Sequence, residues 1–305
     1  MKSITNKKVV YTCITAYYDE LYNHTYSSPD WDYVCFTDDL SISNENNKHW
    51  QLKPLQYIKL NHTKNQRWHK LHPYELFPDY EYSLWMDSNI DILSPSFFKD
   101  VYGAIESDER ISIAPHPDRD CIYDEMQACL DHKKDTLENM QLQIDLFKKD
   151  KFPTHFGLFE TNILLRKHND LAVKKIMEDW WWWIENHSKR DQLSLTYVLW
   201  KNKFNADPLS KISYHNDDGR VKFWPHRTEL RPHFLHLENI IESQTQQIES
   251  QTQQIESQTK EIEIRDKIDI TQMQIIQIEK DLNKIKSTKF FQLWQSFNII
   301  KRKIR

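Results

Sequence analysis

Glycine is scarce in this 305-residue chain, which contains only Gly103, Gly157 and Gly219. Proteins contain about 7% glycine on average. Phosphate-binding loops of the P-loop and G-x-G-x-x-G types, and the turn that exposes a hydrolase serine, all need closely spaced glycines. The sequence therefore excludes these three kinds of site, and any bound phosphate must be held by other groups.

Cysteine pairs, zinc-protease motifs and long apolar runs are also missing. Because no C-x-x-C spacing occurs, we predict four free thiols, at Cys13, Cys35, Cys121 and Cys129. The sequence has no H-E-x-x-H motif, and the apolar run at 9–16 is too short for a signal peptide or a membrane span. A net charge of -4 argues against a nucleic-acid partner. These features together predict a cytoplasmic protein.

Proline and glycine are absent from residues 238–305, and only one of the 11 tryptophans lies there. This change in composition predicts a domain boundary near residue 237. We therefore expect an α/β domain over 1–237, a coiled-coil segment over 238–287 and a basic aromatic segment over 288–305.

Heptad repeats support the coiled-coil prediction. The sequence I-E-S-Q-T-Q-Q begins at Ile241, Ile248 and Ile255. After Ile262 the phase shifts, and apolar residues follow at spacings of mostly 4 and 3: Ile264, Ile268, Ile275, Ile278, Leu282 and Ile285. This pattern favours a homo-oligomer of two or three chains. A single solvated helix is the alternative, because the first half is so polar.

The end of the chain is basic and aromatic. From Lys284 onward it has no acidic residue, and apolar side chains recur every three or four positions: Phe290, Leu293, Trp294, Phe297, Ile300 and Ile304. An apolar helical face flanked by basic residues suits an anionic membrane surface, so we predict peripheral association with the inner face of the cytoplasmic membrane. Docking of this face on protein is the alternative.

Short apolar runs alternate with polar or helical stretches in residues 1–237. The predicted strands are V-V-Y-T-C-I-T-A, Y-V-C-F-T, Y-S-L-W-M-D, I-S-I-A-P and L-F-E-T-N-I-L-L-R, and a helix is expected from Cys129 to Lys149. This alternation predicts an α/β fold with a mostly parallel sheet flanked by helices. Since such sheets bind ligands beyond the carboxyl ends of their strands, three polar segments become candidates: 12–17, 37–39 and 87–89.

Asp87 ends a predicted buried strand, and Asn89 follows two residues later. Oxygen ligands in this D-x-N pattern can hold Mg²⁺ or Mn²⁺ against a diphosphate. A polar turn that merely ends the strand is the alternative explanation.

Several ordered segments together resemble one known family. They are T-A-Y-Y-D at 15–19, D-W-D-Y-V-C-F-T-D at 30–38, the run from Arg67 to Ile90, the run at 156–169 and R-D-Q-L-S at 190–194. This set resembles the TOD1/MUCI70 group of glycosyltransferase-like proteins, which look like GT-A glycosyltransferases. The resemblance implies a GT-A-like, Rossmann-like fold, with Asp87 and Asn89 in the place of the D-x-D metal motif.

A nucleotide-sugar donor, implied by this resemblance, presents two negative phosphates. Arg67 and Lys70 lie three residues apart and can face the phosphates from one helical turn. Thr12, Tyr17 and Asp38 follow the first two strands and can hold the base and ribose, although plain turn residues would look the same.

Transfer also needs a group that removes the proton of the acceptor hydroxyl in an inverting reaction. Asp191 is the first candidate, although a carboxylate at this helix start is also a common cap. Glu160 is the second candidate. In a retaining reaction Asp191 or Gln192 would instead stabilise the oxocarbenium face of the donor.

One late histidine could complete the metal site beside Asp87 and Asn89, and His226 is the candidate for this third ligand.

These expectations combine into a metal-dependent glycosyltransferase that moves a hexose from a nucleotide sugar to a lipid-linked surface glycan. The sequence leaves two alternatives open. One is a catalytically silent scaffold that binds sugar nucleotide or glycan, and the other is a metal-dependent phosphotransferase or hydrolase that uses the same carboxylates.

Overall fold

The computed structural model describes residues 7–42, 48–132, 134–216, 219–226, 232–287 and 293, and for 232–239 it describes the backbone alone. The chain divides into two compact units, Met1–Leu235 and His236–Arg305. The boundary predicted at residue 237 lies within the long helix that begins at Pro232.

The first unit alternates strands and helices. The strands are β1 Lys8–Ile14, β2 Trp31–Thr37, β3 Gln51–Pro54, β4 Tyr82–Met86, β5 Ile90–Ile92, β6 Ile111–Pro115, β7 Phe159–Arg166, β8 Asp207–Pro208 and β9 Val221–Phe223. The α-helices are α1 His62–Leu71, α2 Pro73–Leu76, α3 Ser96–Glu106, α4 Ile122–Asp131, α5 Leu137–Lys149, α6 Leu171–Asn186, α7 Gln192–Lys201 and α8 Pro232–Lys286.

Seven strands form one mixed sheet in the order β3-β2-β1-β4-β7-β6-β8. Strand β7 runs antiparallel to both of its neighbours, and the other four pairings are parallel. The prediction of a mostly parallel sheet flanked by helices is therefore confirmed.

The sheet is buried on both faces, which explains its nearly continuous apolar strands. Along β1, Val9 and Tyr11 belong to one apolar cluster and Val10 to another, as the two-residue period of a strand requires. Helices α1 and α4 to α7 contribute to the first cluster, and α3 contributes to the second.

Two details differ from the sequence predictions. The helix expected over 129–149 is two helices, α4 and α5, because the chain turns after Asp131 and Thr136 caps α5 by accepting a hydrogen bond from the backbone nitrogen of Asn139. A small second sheet pairs β5 with β9 antiparallel, which the sequence did not predict.

The prediction of free cysteines is confirmed, since all four are buried thiols.

Helix α8 runs unbroken over 55 residues, and all but its first four residues belong to the second unit. Its isoleucines at 241, 248, 255 and 262 are 57–61% exposed. The side chains of Thr245, Thr252 and Thr259 each donate a hydrogen bond to the backbone oxygen four residues earlier, at 2.8 Å. Their hydroxyl groups are thus satisfied within the helix.

The predicted basic amphipathic helix over 288–305 lies outside the described residues, apart from Leu293. Among the helices in the described part of the chain, none has the length and apolar character needed to span a bilayer.

Candidate active site

The loops after β1, β2 and β4 meet at the carboxyl edge of the large sheet. The strand order reverses between β1 and β4, and such a switch point is where open α/β sheets bind ligands. The backbone nitrogen of Ala16 donates to Asp38 Oδ2 at 2.8 Å, and Ser88 Oγ donates to Asp19 Oδ2 at 2.7 Å. These contacts bring together the three polar segments that the sequence singled out.

A cavity of about 360 Å³ lies between the loops after β1 and β2. Tyr17 and Asp38, both predicted to contact the nucleoside, line this cavity together with Asp19, Glu20 and Asp39. Carboxylates accept hydrogen bonds from sugar hydroxyls and repel phosphate. The lining therefore suits a ribose better than a diphosphate.

The predicted metal ligands Asp87 and Asn89 are held by specific hydrogen bonds. The Trp85 indole donates to Asp87 Oδ1 at 2.8 Å, and the backbone nitrogen of Asp87 donates to Asn162 O at 2.9 Å. Asn89 Nδ2 donates to Trp224 O at 2.9 Å, while the Trp224 backbone nitrogen donates to Asn89 O at 2.7 Å. Because these contacts fix the side-chain nitrogen and the backbone oxygen of Asn89, its side-chain oxygen Oδ1 is the atom that it can offer to a cation.

Asp19 is a site residue that the sequence reasoning did not single out. It is 8% exposed, and its Oδ1 lies 2.9 Å from His226 Nδ1. The hydrogen bond with Asp19 raises the pKa of His226, and the charge of Asp87 acts in the same direction. The available signal was its position in T-A-Y-Y-D, directly after the polar end of β1.

The residues around Asp87 fit a divalent cation that accepts mainly oxygen. Asp87 could supply a carboxylate, Asn89 its side-chain carbonyl oxygen and His226 its Nε2, while Asp19 holds the imidazole through Nδ1. A carboxylate behind a metal-bound histidine is the usual outer arrangement of metal sites. Mn²⁺ accepts such a mixed oxygen and nitrogen set more readily than Mg²⁺.

A buried ion-pair cluster surrounds Asp191, which is 1% exposed. Asp191 Oδ2 accepts hydrogen bonds from Lys70 Nζ at 2.5 Å and Thr161 Oγ1 at 2.9 Å, and Oδ1 lies 3.5 Å from Arg67 Nε. Burial alone would raise the pKa of Asp191, but the positive charges of Arg67, Lys70 and Arg190 outweigh it and hold this pKa far below its ordinary value. Asp191 is thus a weak base, and it holds Arg67 and Lys70 in place.

The structure places the other four predicted donor-site residues as follows. Thr12 and Lys70 are at most 1% exposed, so neither lies on the surface of the cleft. Arg67 and Lys70 do share one face of α1, but the anion they face is Asp191. Gln192 begins α7, and its Oε1 accepts a hydrogen bond from Arg190 Nη2 at 2.8 Å.

Glu160 lies near the start of β7, at the same edge of the sheet as Asp87. It is 2% exposed, its Oε2 accepts a hydrogen bond from the Tyr214 backbone nitrogen at 3.0 Å, and its Oε1 pairs with His215 Nδ1. The His215 side chain is 47% exposed and stacks on Phe223 at 3.9 Å. Glu160 therefore reaches the surface through His215, which no sequence signal linked to it across 55 positions.

A further group of potential metal ligands lies outside this cleft. Within the residues that the structure describes, one set of three His, Cys, Asp or Glu side chains has its ligand atoms within 4.8 Å of one another: Cys121, Asp124 and His155. This set could hold a metal ion.

The fold and the cleft define a class of protein: a glycosyltransferase-like α/β domain, with a carboxylate-lined cavity and an Asp-x-Asn turn at the switch point. The chain belongs to the TOD1/MUCI70 family, because the model described as "TOD1/MUCI70, glycosyltransferase-like domain" matches residues 2–224. This membership supports a general glycosyltransferase role.

Among solved structures, the chain is similar to "WbbM bifunctional glycosytransferase apo structure", with 8% sequence identity and a TM-score of 0.40. The match covers 67% of this chain and 38% of that one, so this chain corresponds to well under half of the WbbM chain. No curated protein matches the sequence.

Proposed function

We propose that the protein is a metal-dependent glycosyltransferase that moves a hexose from a nucleotide sugar, preferably a UDP-sugar of galactose or glucose type, to a lipid-linked surface glycan such as O-antigen or capsule. The observation that carries the proposal is the convergence of the acidic cavity and the Asp87 turn at one switch point. The cavity would hold the nucleoside, and Asp87, Asn89 and His226 would hold Mn²⁺ or Mg²⁺ beside the diphosphate.

The cation would neutralise the charge that develops on the leaving diphosphate. The Arg67 side chain is 14% exposed and could add positive charge there, and Asp191 lies 3.5 Å from its Nε. In our proposal Asp191 therefore supports the donor site, whereas Glu160 serves the acceptor.

Proton transfer is assigned to the Glu160 and His215 pair. With its Nδ1 proton donated to Glu160, His215 has the lone pair of Nε2 available to accept a proton. In an inverting reaction Nε2 would take the acceptor hydroxyl proton while the acceptor oxygen bonds to the anomeric carbon and the bond to the diphosphate breaks.

Incubation of the purified chain with a panel of nucleotide sugars and Mn²⁺ tests the proposal. We expect slow release of nucleoside diphosphate with one donor, and faster release once a suitable glycan acceptor is added. Absence of release with every donor and an authentic acceptor would favour a catalytically silent scaffold that binds sugar nucleotide or glycan.

We also propose that α8 assembles two or three copies and that residues 288–305 attach them to an anionic membrane. The exposed isoleucine stripe and the internally bonded threonines support the assembly, since both can be buried without unsatisfied polar groups. A chain ending at residue 237 should be monomeric and lose liposome binding. Removal of 288–305 alone should keep the oligomer, and equal binding of all three forms at about 0.15 M salt would refute the membrane role.

A further inference from the structure

Two separate segments meet near the start of α4. Cys121 is the N-cap residue of this helix and Asp124 lies in its first turn, while His155 belongs to the loop before β7. The two segments are already tied by a hydrogen bond from the Gly157 backbone nitrogen to Asp120 O at 2.8 Å. Sulfur, oxygen and nitrogen ligand atoms thus converge from both sides within 4.8 Å of one another.

His155 is oriented as metal-bound histidines usually are. Its Nδ1 lies 2.7 Å from Asp120 Oδ1, and with the proton on Nδ1 the lone pair of Nε2 remains for a cation. Cys121 makes no capping hydrogen bond through its side chain, so the helix start does not use its sulfur atom.

The chemistry of these atoms selects the metal. A thiolate with an imidazole and a carboxylate is a zinc ligand set, whereas Mg²⁺ and Mn²⁺ prefer sites rich in oxygen. In a tetrahedral zinc site with bonds of about 2.0–2.3 Å, ligand atoms are about 3.5 Å apart, so ligand atoms that now lie within 4.8 Å of one another need to approach by about 1.3 Å at most. Water would complete the fourth position.

We propose that Cys121, Asp124 and His155 bind Zn²⁺ and thereby fasten the loop before β7 to the first turn of α4. The loop leads directly to Glu160, and the His116 backbone nitrogen donates to Leu158 O at 2.9 Å within it. The zinc would thus brace the Glu160 side of the cleft. The site does not depend on the proposed transfer reaction, and it is separate from Asp87 and Asn89.

Titration of the metal-free full chain with Zn²⁺, against a chromophoric chelator, tests the site. We expect one tight site per chain, which persists in Asp87→Asn. Asp120→Asn removes the carboxylate that orients His155 and should weaken Zn²⁺ binding about 10–100-fold. Cys121→Ser or Asp124→Asn removes a ligand and should weaken binding more. The matched controls on α4, Cys129→Ser and Asp131→Asn, should bind as the unmodified chain does.

Substitution with Co²⁺ identifies the sulfur ligand. A charge-transfer band from thiolate to cobalt should appear in the unmodified chain and in Cys129→Ser, and it should be absent from Cys121→Ser. Asp124 and His155 are exposed, so Asp124→Asn keeps the test valid even if the change at Cys121 impairs folding. The proposal would be overturned if the unmodified chain failed to bind low-micromolar Zn²⁺. It would also be overturned if Cys121→Ser and Asp124→Asn both bound Zn²⁺ as tightly as the unmodified chain does.

Discussion

Asp87 illustrates how one side chain can serve both a site and the core. Its Oδ1 accepts the hydrogen bond of the fully buried Trp85 indole. Removal of the whole carboxyl group would therefore leave a buried donor unsatisfied, which costs about 1–3 kcal/mol. Asparagine retains an acceptor oxygen and removes the charge, so Asp87→Asn is the sharper variant.

We expect Asp87→Asn to lower transfer at least about 100-fold, since a weakened cation site loses several kcal/mol of transition-state stabilisation. Its thermal midpoint should stay close to that of the unmodified chain, whereas Asp87→Ala should also melt earlier. The exposed Asp145→Asn serves as control. Full metal-dependent activity of Asp87→Asn would remove Asp87 from the site.

Asp191→Asn should act mainly on stability. The change leaves the fully buried ammonium of Lys70 without its carboxylate, and breaking a buried pair costs about 3–5 kcal/mol. Asp179→Asn breaks an exposed pair with Lys175 and should cost about 0–1 kcal/mol. Urea denaturation measures both. Adding Lys70→Met to Asp191→Asn should recover part of the loss, and equal stability of the two single variants would contradict the buried-pair interpretation.

At the scale of elements, the sequence predicted most strands because each buried strand is a short apolar run between polar turns. It did not predict the antiparallel direction of β7, since apolar periodicity carries no information about strand direction. The division between α4 and α5 was also missed, because α4 ends at a turn at His132 that helical spacing alone does not reveal.

Individual site residues were harder to predict than elements. The sequence identified the turn at 87–89 because it directly follows a buried strand. The sequence makes Asp191 a candidate base, but its partners Lys70 and Arg67 lie more than 120 positions away, and sequence spacing cannot show that the three side chains meet. His215 was missed for the same reason.

Helix α8 allows a test of whether its stripe of isoleucines and threonines is the seam along which assembled chains would contact one another. Thr252 and Thr259 bond to their own helix, so their replacement by valine removes a hydroxyl and adds apolar surface without changing shape. In an oligomer Thr252→Val with Thr259→Val should strengthen self-association about 10-fold, as equilibrium sedimentation of the full chain would show. The matched pair Ser250→Val and Ser257→Val lies off the seam. An unchanged association state in both pairs would indicate a single solvated helix.

For the whole molecule, buried neutral histidines predict acid lability. Burial lowers the pKa of His69, His72 and His168 to about 4 and that of His24 to about 3. The unfolded chain takes up these protons near pH 6.5, so their stabilising contribution is complete above that pH and is lost as the pH falls toward 4.

Urea denaturation between pH 7 and pH 4.5 should therefore show a loss of about 2 kcal/mol per buried histidine. His69 is the most informative position, because its Nε2 accepts the Gln56 backbone proton at 2.8 Å and its Nδ1 bonds Asn65 O, which fixes the neutral ring. In His69→Gln, the free energy of unfolding should vary less steeply with pH, by the equivalent of about one proton. A free energy of unfolding that does not vary with pH in this window would contradict the prediction.

Asp19 lines the cavity between the loops after β1 and β2 and also holds the imidazole of His226, so in our proposal one carboxylate belongs to both the nucleoside site and the cation site. We therefore expect occupancy of one site to change the affinity of the other, and thermodynamic reciprocity requires the same factor in both directions. Uridine and Mn²⁺ are suitable probes, since uridine has no phosphate to chelate the ion directly. Calorimetry should show that Mn²⁺ changes the affinity for uridine, and that this change disappears in Asp19→Asn. The Asp19 side chain would then be the physical link that couples donor binding to cation binding.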